Sequence, residues 1–130
     1  MAEFSNYLEN ALINAVLRNT TYTSPATVYV SLYVSDPTDA DSGTEVSTSG
    51  TGYARTAVTM GAPSNGVSTN SADVTFPTST SGWGNVTHIG IHDASTAGNL
   101  LFHSPLDTAK TIDSGDIFKI TTGNLSVTLA

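Results

Sequence analysis

Residues 27–34, Thr-Val-Tyr-Val-Ser-Leu-Tyr-Val, decide the fold. Val28, Val30, Leu32 and Val34 alternate with Thr27, Tyr29, Ser31 and Tyr33, so an extended backbone sends one set to each face and the stretch reads as a half-buried strand. The period of two recurs downstream, and further strands are expected over 53–60, 72–76, 86–92, 100–104, 111–112, 117–121 and 125–129. Between them stand Asp36-Pro37, Pro63-Ser64-Asn65-Gly66, Ala97-Gly98-Asn99, Ser114-Gly115-Asp116 and Gly123-Asn124, residues that tolerate turn dihedrals. About eight short strands punctuated this way predict a mainly β chain, a jelly-roll-like antiparallel β-sandwich. Two polar stretches interrupt the rhythm, 36–52 and 77–84, the second ending near Trp83.

Upstream the period changes. Leu8, Ala11, Leu12, Ala15 and Val16 recur at spacings of three and four, the stripe of one N-terminal amphipathic α-helix over roughly 5–18. Ser5 or Asn6 can cap its start, the latter with Glu9 three residues on, and Arg18 and Asn19 suit its exit. The chain therefore divides into a helix and linker over 1–24, read as an interaction arm, and a sandwich over 25–130. A sandwich closes its own core, so the apolar stripe must either cover an open end or dock on another chain.

The 130 residues carry 4 basic and 11 acidic side chains, a net charge of −7, and no cysteine. Disulfide frameworks, thiolate metal sites and thiol nucleophiles are excluded. Arg18, Arg55, Lys110 and Lys119 are too few and too scattered to neutralise phosphates, so nucleic acid and anionic membranes are poor partners. No run approaches the ~20 apolar residues of a membrane span, and Glu3 stands where a secretory signal carries a basic residue, so synthesis in the cytoplasm is expected. Sixteen Ser and twenty-one Thr exceed a quarter of the chain; given the alternation, they read as hydroxyl-covered sheet faces rather than a disordered linker.

Several constellations invite chemistry. His88, His92 and Asp93 form an H-x-x-x-H-D string, but on a strand two histidines four residues apart stand roughly 13 Å from each other, too far to share an ion. His103 can approach one of them if its strand lies alongside. Asp36, Asp39, Asp41 and Glu45 suggest calcium, yet lack EF-hand spacing and read more simply as a solvated, flexible face. Ser, His and Asp are all present without a G-x-S-x-G elbow, and the glycines flanking Thr51 and Trp83 lack the context of a nucleotide loop. No catalytic residue, metal or cofactor is assigned. Trp83, with Tyr22, Tyr29, Tyr33 and Tyr53, forms either an aromatic binding surface or a plug at one end of the sandwich.

Four segments together resemble a known group of small tailed-bacteriophage virion proteins, variously tail-fibre-like or head-decoration (cement) proteins. They are NYLENALINAVLRNTTYTSPATVYVSLYVSDPT from Asn6, GYARTAVTMGAPSNGVSTNSADVTFP from Gly52, WGNVTHIGIHDASTAGNLLFH from Trp83 and SGDIFKITTGNLSVTL from Ser114. The resemblance implies a virion structural component, present in many copies, with no chemistry and no cofactor of its own. The leading expectation is a capsid decoration protein on the outer surface of the particle, binding the major capsid protein and other copies of itself as a homotrimer. Its expected interface residues are Leu8, Leu12, Val16, Arg18 and Trp83. An acidic, lysine-poor surface fits, because it stays off packaged DNA. The alternative is a tail-fibre or baseplate module that binds a host-surface glycan through Trp83 and the tyrosines.

Overall fold

The computed structural model describes residues 2–129, which fold into β1 (Glu3–Phe4), α1 (Asn6–Leu17), β2 (Val28–Tyr33), β3 (Thr56–Val58), β4 (Val67–Thr69), β5 (Val74–Thr75), β6 (Gly84–His92), β7 (Leu100–Ile112), β8 (Lys119–Ile120) and β9 (Ser126–Thr128). The largest sheet has the order β1-β7-β6-β2-β3, and every pairing in it is antiparallel. Val30 lies opposite Ile91 and Leu32 opposite Ile89, so the valine–leucine face of β2 continues across β6. Two antiparallel ribbons, β4 with β9 and β5 with β8, complete a mainly β, sandwich-like architecture.

The core lies on that apolar face. Val30, Leu32, Val58, Val86, Ile89 and Ile112 of the main sheet are buried in one cluster with Val74, Phe76, Trp83 and Phe118. Phe76 is its aromatic centre: it meets Trp83 and Phe118 edge to face, with centroids 6.4 and 5.6 Å apart, and stacks on Tyr53 at 6.2 Å. Such pairs add directional preference to the area they remove from water.

Turn chemistry is local and explicit. Asn65 and Gly66 both hold positive φ, 51° and 79°, and Ser64 and Val67 exchange both backbone hydrogen bonds around them, the geometry of a two-residue primed turn. Ser5 caps α1: its side chain accepts from the Leu8 amide at 3.2 Å, while its hydroxyl donates to the Leu100 carbonyl of β7. Asn6 is the first helical residue, so it is not the cap. Arg18 closes the helix by donating its amide to the Asn14 carbonyl, and Asn19 leaves through the left-handed region at φ 54°.

Other expectations require correction. The pieces 100–104 and 111–112 are one strand, β7, which runs through Pro105. Proline lacks the ladder donor and is tolerated here because the β6–β7 register shifts between Val86 and His88, leaving residues 106–109 as extra length. The 53–60 stretch narrows to Thr56–Val58 and 72–76 to Val74–Thr75. Two strands were not foreseen: β4, whose only aliphatic is Val67, and β1, whose two residues are too few to show a period. β1 forms the edge of the main sheet, and Ser5 and Leu8 are buried, so residues 3–8 are tied to the sheet. No helix among the described residues is long and apolar enough to cross a membrane.

Candidate functional site

The reverse face of the main sheet is polar, and the alternation in β2 creates it. Tyr29, Ser31 and Tyr33 point away from the core, and register places them beside His92, Gly90 and His88 of β6, with His103 of β7 opposite Gly90. Gly90 allows the face to close: a Cβ there would stand 2.7 Å from Ser31 Oγ and 2.8 Å from Leu100 Cδ1. Three histidines are thereby gathered from residues 88–103.

The loop 36–43 meets them with one aspartate each. His103 Nε2 lies 2.8 Å from Asp39 Oδ1, His92 Nε2 is 3.7 Å from Asp41 Oδ2, and His88 Nε2 is 4.0 Å from Asp36 Oδ1. The loop holds its own shape. Asp36 Oδ1 accepts from the Thr38 amide, the Pro37 carbonyl accepts from Ser42 and Gly43, and a side chain at Gly43 would strike the Asp36 carbonyl at 2.5 Å. Asp36, Asp39, Asp41 and Glu45 thus engage four different partners rather than converging as the calcium alternative requires.

His92 is the most enclosed of the three. Its Nδ1 is 2.9 Å from Ser31 Oγ and its Nε2 3.3 Å from the Tyr33 hydroxyl. Tyr33 spends its proton on Asp41 at 2.7 Å, so toward His92 it can only accept; this assigns the proton to Nε2 and leaves Nδ1 to accept from Ser31. Burial, reinforced by the Arg55 charge, holds His92 below its ordinary pKa against the opposing pull of Glu45 and Asp41. Burial and the bond to Asp41 push the Tyr33 phenol up.

A second network pins the neighbouring loops. Arg55 donates two hydrogen bonds to the Glu45 carboxylate, from Nε at 2.9 Å and Nη2 at 2.8 Å, and its Nη1 reaches the Ala94 and Ala97 carbonyls in the β6–β7 turn. Tyr53 donates to the same carboxylate at 2.6 Å and accepts from the Leu32 amide. Burial raises the Glu45 carboxyl, but the hydrogen bonds from Arg55 and Tyr53 outweigh it and hold it below its ordinary value.

Ser31, His92 and Asp41 therefore fall in a Ser–His–Asp order, although no spacing in the sequence announced it. Ser31 has no solvent exposure, and an acyl-transfer nucleophile must touch its substrate. The expected interface residues divide differently. Trp83 is only 4% exposed, donates from Nε1 to the Thr51 carbonyl at 2.8 Å and meets Tyr53 edge to face, the plug rather than the displayed ring of the two readings the sequence offers. Leu8 is buried, Leu12 is half-buried, and Val16 and Arg18 are exposed. Ile13, Val16 and Leu17 expose 54, 75 and 76% of their surface at spacings of three and four, the true outward stripe of α1.

The sequence compared with known proteins gives one family. A family model described as "Podophage GP4 fiber I protein gp80" matches residues 3–128, nearly the whole chain. No curated protein matches the sequence. The matched span takes in β1, α1 and all of both ribbons, so the chain belongs to the podophage GP4 fiber I protein gp80 family, a family of tailed-phage virion structural proteins.

Proposed function

We propose that this chain is a non-enzymatic fibre component of a podophage particle, made in the host cytoplasm and assembled on the outside of the virion, where it works by contact between protein surfaces. The family match over residues 3–128 carries this reading, and it favours a fibre over the head-decoration role expected from sequence. The site chemistry supports it. Ser31 and His92 are sealed beneath Tyr33 and the 36–43 loop, and the Arg55 charge is consumed by Glu45 and two carbonyls. The surface offered for assembly is Ile13, Val16 and Leu17, an apolar stripe that a lone copy leaves in water. Its occupant in this proposal is a neighbouring copy of the same chain, in the trimeric order anticipated from sequence.

Labelling the protein in intact particles tests the location. Label on fibres is expected; label spread over the head would overturn the fibre reading and restore decoration. Sedimentation of the purified chain tests the contact: Val16→Asp should shift the oligomer toward monomer without altering the circular dichroism spectrum. An unchanged sedimentation profile would remove α1 from the interface.

A further inference from the structure

We propose that Glu3, Asp39 and His103 form a site for one divalent transition-metal cation, zinc or manganese, which ties β1, the 36–43 loop and β7 together. Among the described residues, this is where three metal-ligating side chains converge: one atom from each lies within 4.8 Å of the others. They come from three segments far apart in sequence. His103 Nε2 is 2.8 Å from Asp39 Oδ1 and 3.9 Å from Glu3 Oε2.

The separations suit a cation. Metal–ligand bonds of ~2.0–2.2 Å around tetrahedral zinc place neighbouring donors roughly 3.3–3.6 Å apart. The two distances from His103 bracket that range and the third separation is under 4.8 Å, so side-chain rotations of the two exposed carboxylates bring all three donors onto one ion. The backbones are already fixed. Glu3 is the direct cross-strand partner of His103, the Asp39 carbonyl accepts from the Asn6 amide at 2.8 Å, and the Ser5 amide donates to Leu101 of β7. Rigidity and freedom are divided usefully: the His103 side chain is 4% exposed and sets one donor, whereas those of Asp39 and Glu3, at 49 and 69%, can swing onto the ion.

A hydrogen bond between His103 and Asp39 accounts for two of the three groups, and the Glu3 carboxylate stands 3.9 Å from the same imidazole nitrogen. Among the described residues, no Lys or Arg nitrogen lies within 4.0 Å of the Glu3 or Asp39 carboxylate; Arg55 pairs with Glu45 and Lys119 with Asp73. A neutral imidazole with two carboxylates carries a formal charge of −2, which one divalent cation offsets. The mixed nitrogen and oxygen set suits zinc or manganese, whereas calcium prefers six to eight oxygens. With three protein ligands, water completes the shell.

Calorimetric titration of the full chain, stripped with EDTA, provides the test. ZnCl2 or MnCl2 should bind at one ion per chain and raise the melting temperature, with CaCl2 much weaker. Glu3→Gln changes a largely exposed side chain, so the variant should melt like the stripped protein without metal. It should bind at least about tenfold more weakly, the loss that even an outer-sphere partner of a metal site produces. Asp39→Asn should weaken binding as well. Absence of saturable zinc or manganese binding below millimolar would overturn the proposal, as would binding that Glu3→Gln and Asp39→Asn both leave unchanged.

Discussion

The two faces of β2 are made from alternate residues of one strand and are held by different physics. On one side Val30 and Leu32 join a cluster whose other members are almost all apolar or aromatic, and stabilisation there follows the area removed from water. On the other, Ser31 and Tyr33 are equally buried but lie among His92, Asp41 and Leu100, and every buried side-chain nitrogen or oxygen among the described residues finds a partner. The apolar face tolerates approximate fits of about the right volume. The polar face does not, because a single lost partner leaves a buried polar group unsatisfied.

The largest expected effect falls on the apolar face. Phe76 is 2% exposed and contacts three other rings, so Phe76→Ala should lower unfolding stability by ~3–5 kcal/mol, read from denaturant midpoints at unchanged slope. A loss below 1 kcal/mol would mean that the aromatic centre is not where the core's stability resides. The polar face should yield a smaller but sharper response at Gly90. Adding one methyl group brings Cβ within 2.7 Å of Ser31 Oγ, 2.8 Å of Leu100 Cδ1 and 3.2 Å of the Tyr33 ring, and Gly90→Ala should cost ~1–3 kcal/mol. If Gly90→Ala is neutral, the His92 pocket has more slack than its contacts imply.

The same contrast explains what could be read in the sequence. The apolar face was legible in Val28, Val30, Leu32 and Val34 because burial on one side of a strand imposes a period of two, and the helix was legible in Leu8, Leu12 and Ser5 because caps and stripes are local. The polar face was not. His92 meets Ser31 across 61 residues and His103 meets Asp39 across 64, and such pairs leave no trace in spacing. Tyr33 illustrates the limit: its phase placed it correctly opposite the valines, and phase alone made that side look exposed, whereas the 36–43 loop buries it. Trp83 was legible only as a choice between a plug and a displayed ring. Flanked by glycines in a polar run it fitted either, and only the tertiary fold decides, by turning it inward between Tyr53 and Phe76.

The smallest effect separates the faces by pH, since the apolar cluster holds no histidine or carboxylate. His92 is faced by Ser31, Tyr33, Asp41, Glu45 and Arg55, and its folded pKa lies below the ordinary value of 6.5 because burial and Arg55 prevail over the two carboxylates. The unfolded chain therefore binds this proton more readily, and stability is full above about pH 6.5 and declines as the pH falls beneath it. Glu45 works in a lower window: its folded pKa is depressed, so the stability it adds is present above 4.5 and is lost as the pH drops through that region toward the folded value. Urea midpoints measured with EDTA at pH 7.5 and pH 5.5 isolate the first window. The wild-type midpoint should fall between them, and His92→Gln, which keeps a side chain of comparable length without a titrating ring, should flatten the decline while lowering stability at both values. Equal declines in the two proteins would assign the pH dependence elsewhere and leave His92 as packing alone.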